Sequence, residues 1–123
     1  MIKSFTDLKA WQSGHELAVQ VYQYTKKFPK SEQFGLVSQM RRAAVSVTSN
    51  IAEGFGRASE KDREHFYVMA SGSLYELKSQ VLLAKDLGFI DSKDIDSIFD
   101  NLNTAHKLIN GLLRAHRQGK SNV

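Results

Sequence analysis

The chain has 123 residues, of which 41% are hydrophobic and 24% charged, with a formal net charge of +4; this composition and length predict one globular domain over residues 1–123. The absence of cysteine excludes disulfide bonds, thiolate zinc sites and thiol catalysis. Because no apolar run approaches the ~18 residues of a membrane span and the first residues lack the apolar core of a secretion signal, we expect a cytoplasmic protein without a membrane partner.

The first predicted helix spans residues 7–28, where apolar residues recur at the 3.6-residue period. Thr6 or Asp7 is the predicted N-cap, and Pro29 ends the helix because the residue before a proline avoids helical geometry. The apolar residues form two adjacent seams that together predict a wide buried face: Leu8, Trp11, His15, Ala18, Tyr22 and Thr25 in one, and Leu17, Val21, Tyr24 and Phe28 in the other. On such a seam, His15 is expected to be a hydrogen-bonded core histidine.

The second predicted helix spans residues 32–54 and has an unusual polar face. Its predicted core residues are Met40, Ala44, Val47 and Ile51, and the opposite face carries Arg42, Ser46, Ser49 and Glu53. The stretch from Ser46 to Asn50 consists mostly of short residues that form helices poorly, whereas a water-facing stripe favours long straight side chains. We therefore predict that this polar face is covered, either by another helix of the chain or by another subunit.

The third and fourth predicted helices span residues 60–87 and 92–118. Ser59 is the predicted N-cap of the third, and Gly88 is suited to the position that follows its end. Its predicted core residues are Phe66, Ala70, Ser73, Leu77 and Val81, flanked by Leu74 and Ala84. The fourth opens at Asp91 or Ser92 and is predicted to bury Ile95, Ile98, Leu102, Ala105, Ile109 and Leu112, while residues 119–123 are predicted to be a disordered tail.

Four long helical patterns without a convincing strand predict an all-α protein, an antiparallel up-down four-helix bundle. Gly14, Gly72 and Gly111 lie inside three of the helices, where glycine costs up to ~1 kcal/mol relative to alanine. We therefore expect close approach of neighbouring helices at these positions.

The sequence offers little catalytic chemistry. A di-iron bundle needs two Glu-x-x-His pairs, and the only related spacing is Asp62-x-x-His65. No Gly-x-Ser-x-Gly elbow is present, and Gly54-x-Gly56 leaves a helix rather than a strand, unlike a phosphate-binding loop. We predict a non-enzymatic protein that uses no metal and no cofactor.

Charge is segregated along the chain. Residues 1–57 carry eight basic and four acidic side chains, residues 58–106 five and nine, and residues 107–123 four and none. Such segregation either steers an anionic partner, pairs subunits, or complements the helix dipoles. The candidate residues for contact with an RNA backbone are Lys26, Lys27, Lys30, Arg41, Arg57, Arg114, Arg117 and Lys120. In an antiparallel bundle, however, Lys26, Lys27 and Lys30 lie at the opposite end of one subunit from Arg57.

Several motifs resemble one protein family. They are Phe5-x-Asp7-Leu8-Lys9-x-Trp11, Gln39-x-Arg41-Arg42-Ala43-Ala44-x-Ser46, and Ser49-Asn50-Ile51-Ala52-Glu53-Gly54-x-Gly56-Arg57. Over residues 5–113 the chain resembles the four-helix-bundle family encoded in intervening sequences of bacterial 23S ribosomal RNA genes. It is also similar to the accessory variability protein of diversity-generating retroelements. Val47-Thr48 departs from the pattern, because the family often has isoleucine and proline there.

The resemblance implies a homopentamer, and its retroelement relatives bind RNA and a reverse transcriptase through a basic surface. We predict a subunit interface or an intrachain polar layer made of Arg42, Ser46, Ser49, Asn50, Glu53 and Glu76, with Arg42 paired to Glu76. The first functional hypothesis is an oligomeric RNA-binding protein. The alternative is a protein–protein scaffold or accessory subunit without RNA specificity.

Overall fold

The computed structural model describes residues 1–119, which fold into four long helices: α1 (Lys9–Thr25), α2 (Leu36–Phe55), α3 (Glu60–Asp86) and α4 (Ser92–Arg117). Each helix packs against its two neighbours in the cyclic order α1, α2, α3, α4. Within residues 1–119, no Cα atoms of the diagonal pairs, α1 with α3 and α2 with α4, approach within 8 Å. The predicted all-α four-helix bundle is confirmed. None of the helices in this part of the chain combines the length and apolar content that crossing a membrane requires.

The core is a column of aliphatic side chains along the bundle axis. All four core residues predicted for α2 are fully buried, and so are Ala70, Leu77 and Val81 of α3, whereas Phe66 and Ser73 are only partly buried. The α4 prediction also holds, except that Ile95 is only partly buried. Each large aliphatic side chain removed from water stabilises the fold by roughly 1.5–3 kcal/mol, so this column fixes which face of each helix points inward.

The start of α1 differs from the prediction. Ser4 caps a short 3-10 turn, Phe5–Asp7, by accepting a hydrogen bond from the Thr6 N–H at 3.3 Å. The Asp7 carboxylate accepts bonds from the N–H groups of Lys3 and Ser4 at 3.0 and 3.1 Å, and these bonds lower the pKa of Asp7. Asp7 therefore stabilises the turn, and Leu8 rather than Thr6 or Asp7 occupies the N-cap of α1.

The connection between α1 and α2 is longer than predicted. The N–H groups of Lys27 and Phe28 bond to carbonyls three residues earlier, which tightens the chain and ends α1 at Thr25. After Pro29, a second 3-10 turn, Lys30–Glu32, delays the start of α2 to Leu36. The early end of α1 places Lys26 on the connection instead of inside a helix, and Lys30 opens the second 3-10 turn.

The ends of α3 follow the prediction closely. The Ser59 hydroxyl accepts a hydrogen bond from the Asp62 N–H at 3.0 Å. At the other end, Gly88 has a φ of +78°, and the Phe89 N–H bonds to the Ala84 carbonyl at 2.9 Å, as in a Schellman motif. Phe89 then packs on Phe28 with ring centroids 5.4 Å apart, which closes this end of the bundle.

Only one of the three helix-interior glycines marks a close approach within the chain. A Cβ atom at Gly14 would lie 3.1 Å from Thr48 Cγ2 and 3.3 Å from Val47 Cγ1, so glycine lets α1 and α2 come together. A Cβ atom at Gly72 or Gly111 would meet nothing within 4 Å in the described residues. The prediction is therefore confirmed for Gly14 and wrong, within one chain, for Gly72 and Gly111.

Candidate nucleic-acid interface

The predicted apolar face of α1 is wider than the part of the helix that packs against α2 and α4. Leu17 and Val21 are buried as predicted, but three aromatic members of the predicted seam lie on its outer flank. Trp11 is partly buried, His15 is exposed, and Tyr22 is 41% exposed. The prediction of a buried seam, and of a core histidine at position 15, is wrong for His15 and Tyr22, whereas Trp11 packs against the edge of the core. Helices α2 and α4 cover only the part of this face centred on Leu17 and Val21.

These outer aromatic residues are ordered by contacts with their neighbours. The rings of Trp11 and His15 stack at 4.8 Å between centroids with 15° between their planes, and Phe5 meets Trp11 edge-on at 5.3 Å. The Arg41 guanidinium lies 4.6 Å from the centroid of the Tyr22 ring. Because positions 11, 15 and 22 share one helical face, we call Trp11, His15 and Tyr22 the aromatic stripe.

Arg41 of α2 is anchored to the end of α1. Its Nε donates to the Thr25 hydroxyl at 2.9 Å, and its Nη2 donates to the Tyr22 carbonyl at 3.4 Å. Thr25 is itself 3% exposed and donates to the Val21 carbonyl at 2.7 Å. These bonds hold the planar guanidinium at the junction of α1 and α2, where it is partly buried.

A basic cleft lies beside this anchored arginine. It has a volume of about 230 Å³ and is lined by Thr25, Lys26, Phe28, Pro29, Lys30, Gln33, Val37 and Arg41. Three of the lining residues are cations and none is a carboxylate. Lys27, by contrast, lines the neighbouring cleft together with Asp91 and Asp94. We use the name basic cleft for the site of Lys26, Lys30 and Arg41.

Arg57, Arg114 and Arg117 of the predicted RNA-binding set lie at the opposite end of the bundle, and two of them form ion pairs. Arg57 pairs with Glu53 at 2.8 Å, and Arg117 pairs with Glu64. The hydrogen bond from Arg117 lowers the pKa of Glu64. Arg114 is exposed on the last turns of α4, and Lys120 lies outside the described residues. The predicted set therefore does not form one surface within a subunit.

The polar face of α2 is partly covered by α3 of the same chain. The hydroxyls of Ser46 and Ser73 are 2.8 Å apart, and the Asn50 side chain donates to the Ser46 carbonyl at 2.9 Å. Arg42 pairs with Glu76 within the chain, but the Arg42 side chain remains 54% exposed. Ser49 and Glu53 are also exposed. Helix α3 therefore covers the middle of this face and leaves its outer edge open.

The outer face of α3 carries no charge over more than three turns. Its residues recur at spacings of four and three and comprise Val68, Gly72, Tyr75, Ser79 and Leu82, which we call the α3 outer face. Val68, Tyr75 and Leu82 are 45%, 57% and 46% exposed. Surface helices ordinarily carry charged and polar residues on the face that points to water. The sequence pattern of α3 predicts one apolar face, the face in the core, and does not identify this second, exposed face.

One histidine is held between α3 and α4. His106 Nδ1 lies 2.9 Å from the Lys78 ammonium, and the Tyr75 ring meets the imidazole edge-on at 4.7 Å. Burial, followed by the positive charge of Lys78, lowers the pKa of His106. The imidazole is therefore neutral at pH 7 and accepts from Lys78. Within residues 1–119, no three histidine or carboxylate side chains are grouped as ligands of a metal ion.

Comparison with known proteins identifies the family. Residues 6–111 match the sequence profile described as the 23S rRNA-intervening sequence protein. The chain belongs to this family. A similar solved structure is a protein of unknown function from the S23 ribosomal protein family of Bacteroides thetaiotaomicron, with a TM-score of 0.78 and 20% identity over 85% of this chain and 95% of that chain. Comparison with curated proteins gave no match.

For a 23S rRNA-intervening sequence protein, these comparisons establish family and fold. The match extends from the 3-10 turn before α1 to Gly111 in α4, so the resemblance that the motifs indicated is confirmed. At 20% identity the solved structure shows the fold alone, and it is itself of unknown function. Similarity to the retroelement accessory protein stays a prediction.

Proposed function

We propose that this 23S rRNA-intervening sequence family protein is a non-enzymatic homo-oligomer that binds the phosphate backbone of RNA through the α1–α2 side of its bundle. The observation that carries the proposal is the separation of charge between the two halves. Residues 9–55, which contain α1 and α2, carry six basic and three acidic side chains, whereas residues 60–117, which contain α3 and α4, carry eight basic and nine acidic ones. The α1–α2 side therefore attracts a polyanion more strongly than the α3–α4 side does.

Within the positive half, the basic cleft supplies the best phosphate site. Lys26, Lys30 and Arg41 converge on it without a carboxylate in the lining. Arg57 and Arg117 already pair with glutamates, so phosphate contact by either of these two arginines has to replace an existing ion pair. Binding at the cleft releases counterions from the RNA and loses none of the protein's own ion pairs.

The test compares matched charge removals at the same end of the bundle. Affinity for a structured RNA is measured by fluorescence anisotropy across a salt series for Lys26→Gln/Lys30→Gln and for Lys85→Gln/Lys93→Gln. We expect the first variant to bind more weakly and to reduce the slope of log affinity against log salt by about 1.5, since two phosphate contacts are lost. The second variant should bind as the unmodified protein does. Equal losses in the two variants, or no binding at low salt, would contradict the proposed site.

The α3 outer face supports the assembly part of the proposal. An exposed, uncharged stripe containing Val68, Tyr75 and Leu82 is unusual for a surface that faces only water. We assign it to contact with another copy, and a ring of five requires that it meet a different surface of the next subunit. Leu82→Glu should lower the mass measured by light scattering. Val19→Glu on α1 is the matched control, because Val19 and Leu82 are both 46% exposed.

A protein scaffold or accessory subunit, for a reverse transcriptase or another protein, is the second candidate function. The same α3 outer face favours it, since an apolar surface docks proteins without steep salt dependence. A protein that binds no RNA at low salt and keeps its mass in Leu82→Glu would support the scaffold and oppose the first proposal.

A further inference from the structure

We infer that the aromatic stripe stacks the bases of single-stranded RNA while the basic cleft holds the neighbouring phosphates. This inference rests on the RNA-binding function proposed above and specifies the form of RNA that the site takes. It concerns the outer face of α1 and the adjoining edge of α2.

The stripe and the cleft are continuous through one side chain. Arg41 contacts the Tyr22 ring and also lines the basic cleft, and Lys26 follows Tyr22 by one helical turn. A base stacked at Tyr22 therefore has cations within reach of its own phosphate. Alternation of aromatic rings with cations is the usual composition of surfaces that bind single strands.

The aromatic residues are placed in advance of binding. Arg41 is held by Thr25 and the Tyr22 carbonyl, which keeps its guanidinium against the Tyr22 ring while 41% of the tyrosine stays exposed. His15 is exposed and stacked on Trp11, so a further base placed on its open side extends an existing stack. Little side-chain order has to be gained when a strand binds.

The form of the RNA follows from where its bases are accessible. In a duplex the base faces are stacked on one another, and a protein reaches the backbone and the groove edges but not a free base face. From Trp11 to Tyr22 the stripe runs for about 17 Å along α1. Glu16 is the only carboxylate of α1, and residues 36–52 of α2 contain none, so a strand laid along this face meets little repulsion.

The test uses single substitutions that remove a ring and keep an apolar side chain. Anisotropy is measured with an adenosine-rich oligonucleotide of about ten nucleotides and with the same strand paired to its complement. We expect Tyr22→Leu to weaken single-strand binding about tenfold and to leave duplex binding unchanged. Tyr22→Phe should retain full affinity, because stacking needs the ring and not the hydroxyl. Phe66→Leu at the opposite end of the bundle is the matched control and should bind normally, because the Phe66 ring carries the Arg57 guanidinium at 4.7 Å much as Tyr22 carries Arg41.

Trp11 provides a second readout, because it is the only tryptophan of the chain. Single-stranded RNA should quench its fluorescence, and the duplex should not. If Tyr22→Leu and Phe66→Leu are equally weakened, or if the duplex binds as tightly as the single strand with Trp11 unaffected, the stacking inference is overturned and backbone binding stands. If no RNA binds at low salt, the proposed function itself fails. Loss of affinity in Tyr22→Phe as well would show that Tyr22 acts through its hydroxyl, which also overturns stacking.

Discussion

The outer faces of α1 and α3 occupy opposite corners of the bundle and differ in chemistry, although both helices expose apolar side chains and contain an internal glycine. On α1 the exposed rings are those of His15 and Tyr22, and Tyr22 lies against Arg41 and one turn before Lys26. On the α3 outer face the exposed apolar residues are Val68, Tyr75 and Leu82, no residue of that face is charged, and the nearby Lys78 ammonium, 5.9 Å from the Tyr75 ring centroid, is hydrogen-bonded to His106. Exposed apolar area alone therefore does not indicate which kind of partner a surface binds. The charges beside it distinguish a surface suited to a polyanion from one suited to a protein.

The glycines sharpen the same contrast. Gly14 of α1 faces inward and allows contact with Thr48, so its presence is explained within the chain. Gly72 of α3 faces outward between Val68 and Tyr75, and no atom of the described chain lies within 4 Å of the place where its Cβ would be. An outward glycine that costs helix stability and gains no internal contact is consistent with a neighbour outside the subunit.

The largest expected effect is that of filling the inner glycine. Gly14→Leu should destabilise the protein by about 3 kcal/mol, because added carbon atoms collide with Thr48 and Val47 in a close-packed seam. Urea unfolding followed by circular dichroism measures the change. Unfolding at an unchanged urea concentration would show that α1 and α2 are not in close contact at this point.

The matching change on α3 should act in the opposite direction. Gly72→Ala is expected to raise the free energy of unfolding by up to ~1 kcal/mol, since alanine is the better helix former and its methyl group meets nothing in the subunit. The measurement is the same urea titration, made at a concentration where light scattering shows a single species. A loss of stability together with a lower mass would place a neighbouring copy directly over Gly72.

The ion pair between Arg42 of α2 and Glu76 of α3 should contribute less to stability than either glycine position. Arg42→Ala is expected to cost at most about 1 kcal/mol, because the Arg42 side chain is 54% exposed and its pairing with Glu76 is screened by water. Thermal unfolding at low and high salt measures the cost. A larger cost that appears only in the assembled protein would mean that a second subunit buries the pair and extends the α3 outer face toward α2.

The smallest effect concerns His106, which borders the α3 outer face. Its pKa is lowered in the folded protein, so the unfolded chain binds more protons as pH falls through the ordinary histidine range, and stability decreases there. His106→Gln should make the melting temperature less dependent on pH between about 7 and 5. Identical pH profiles for the two proteins would remove His106 as a source of acid sensitivity.

Periodicity predicted the fold well and the surface poorly, for one physical reason. Met40, Ala44, Val47 and Ile51 form a narrow arc, and the core covers all of it. The arc of α1 is wider, and its period does not reveal which part the neighbouring helices cover, so His15 was expected inside and lies outside. Tyr22 was missed as a surface residue in the same way.

The candidate site required topology in addition to composition. The sequence identifies Lys26, Lys30 and Arg41 as basic, but only the folded chain brings them around one cleft. The sequence likewise does not reveal that Arg57 pairs with Glu53, or that Arg117 of α4 pairs with Glu64 of α3. Helix ends were displaced where 3-10 turns compete with the first and last helical turns, as they do on either side of Pro29.

The lack of contact between α1 and α3 has a consequence for an assembled particle. In a copy that contacts its neighbour through the α3 outer face, α1 lies at the diagonally opposite corner, away from that interface. Each added subunit then contributes another α1 surface to the outside of the particle, at a fixed spacing from the last. A long RNA that binds several of these surfaces dissociates only when all of them release it together, so weak individual sites give tight overall retention.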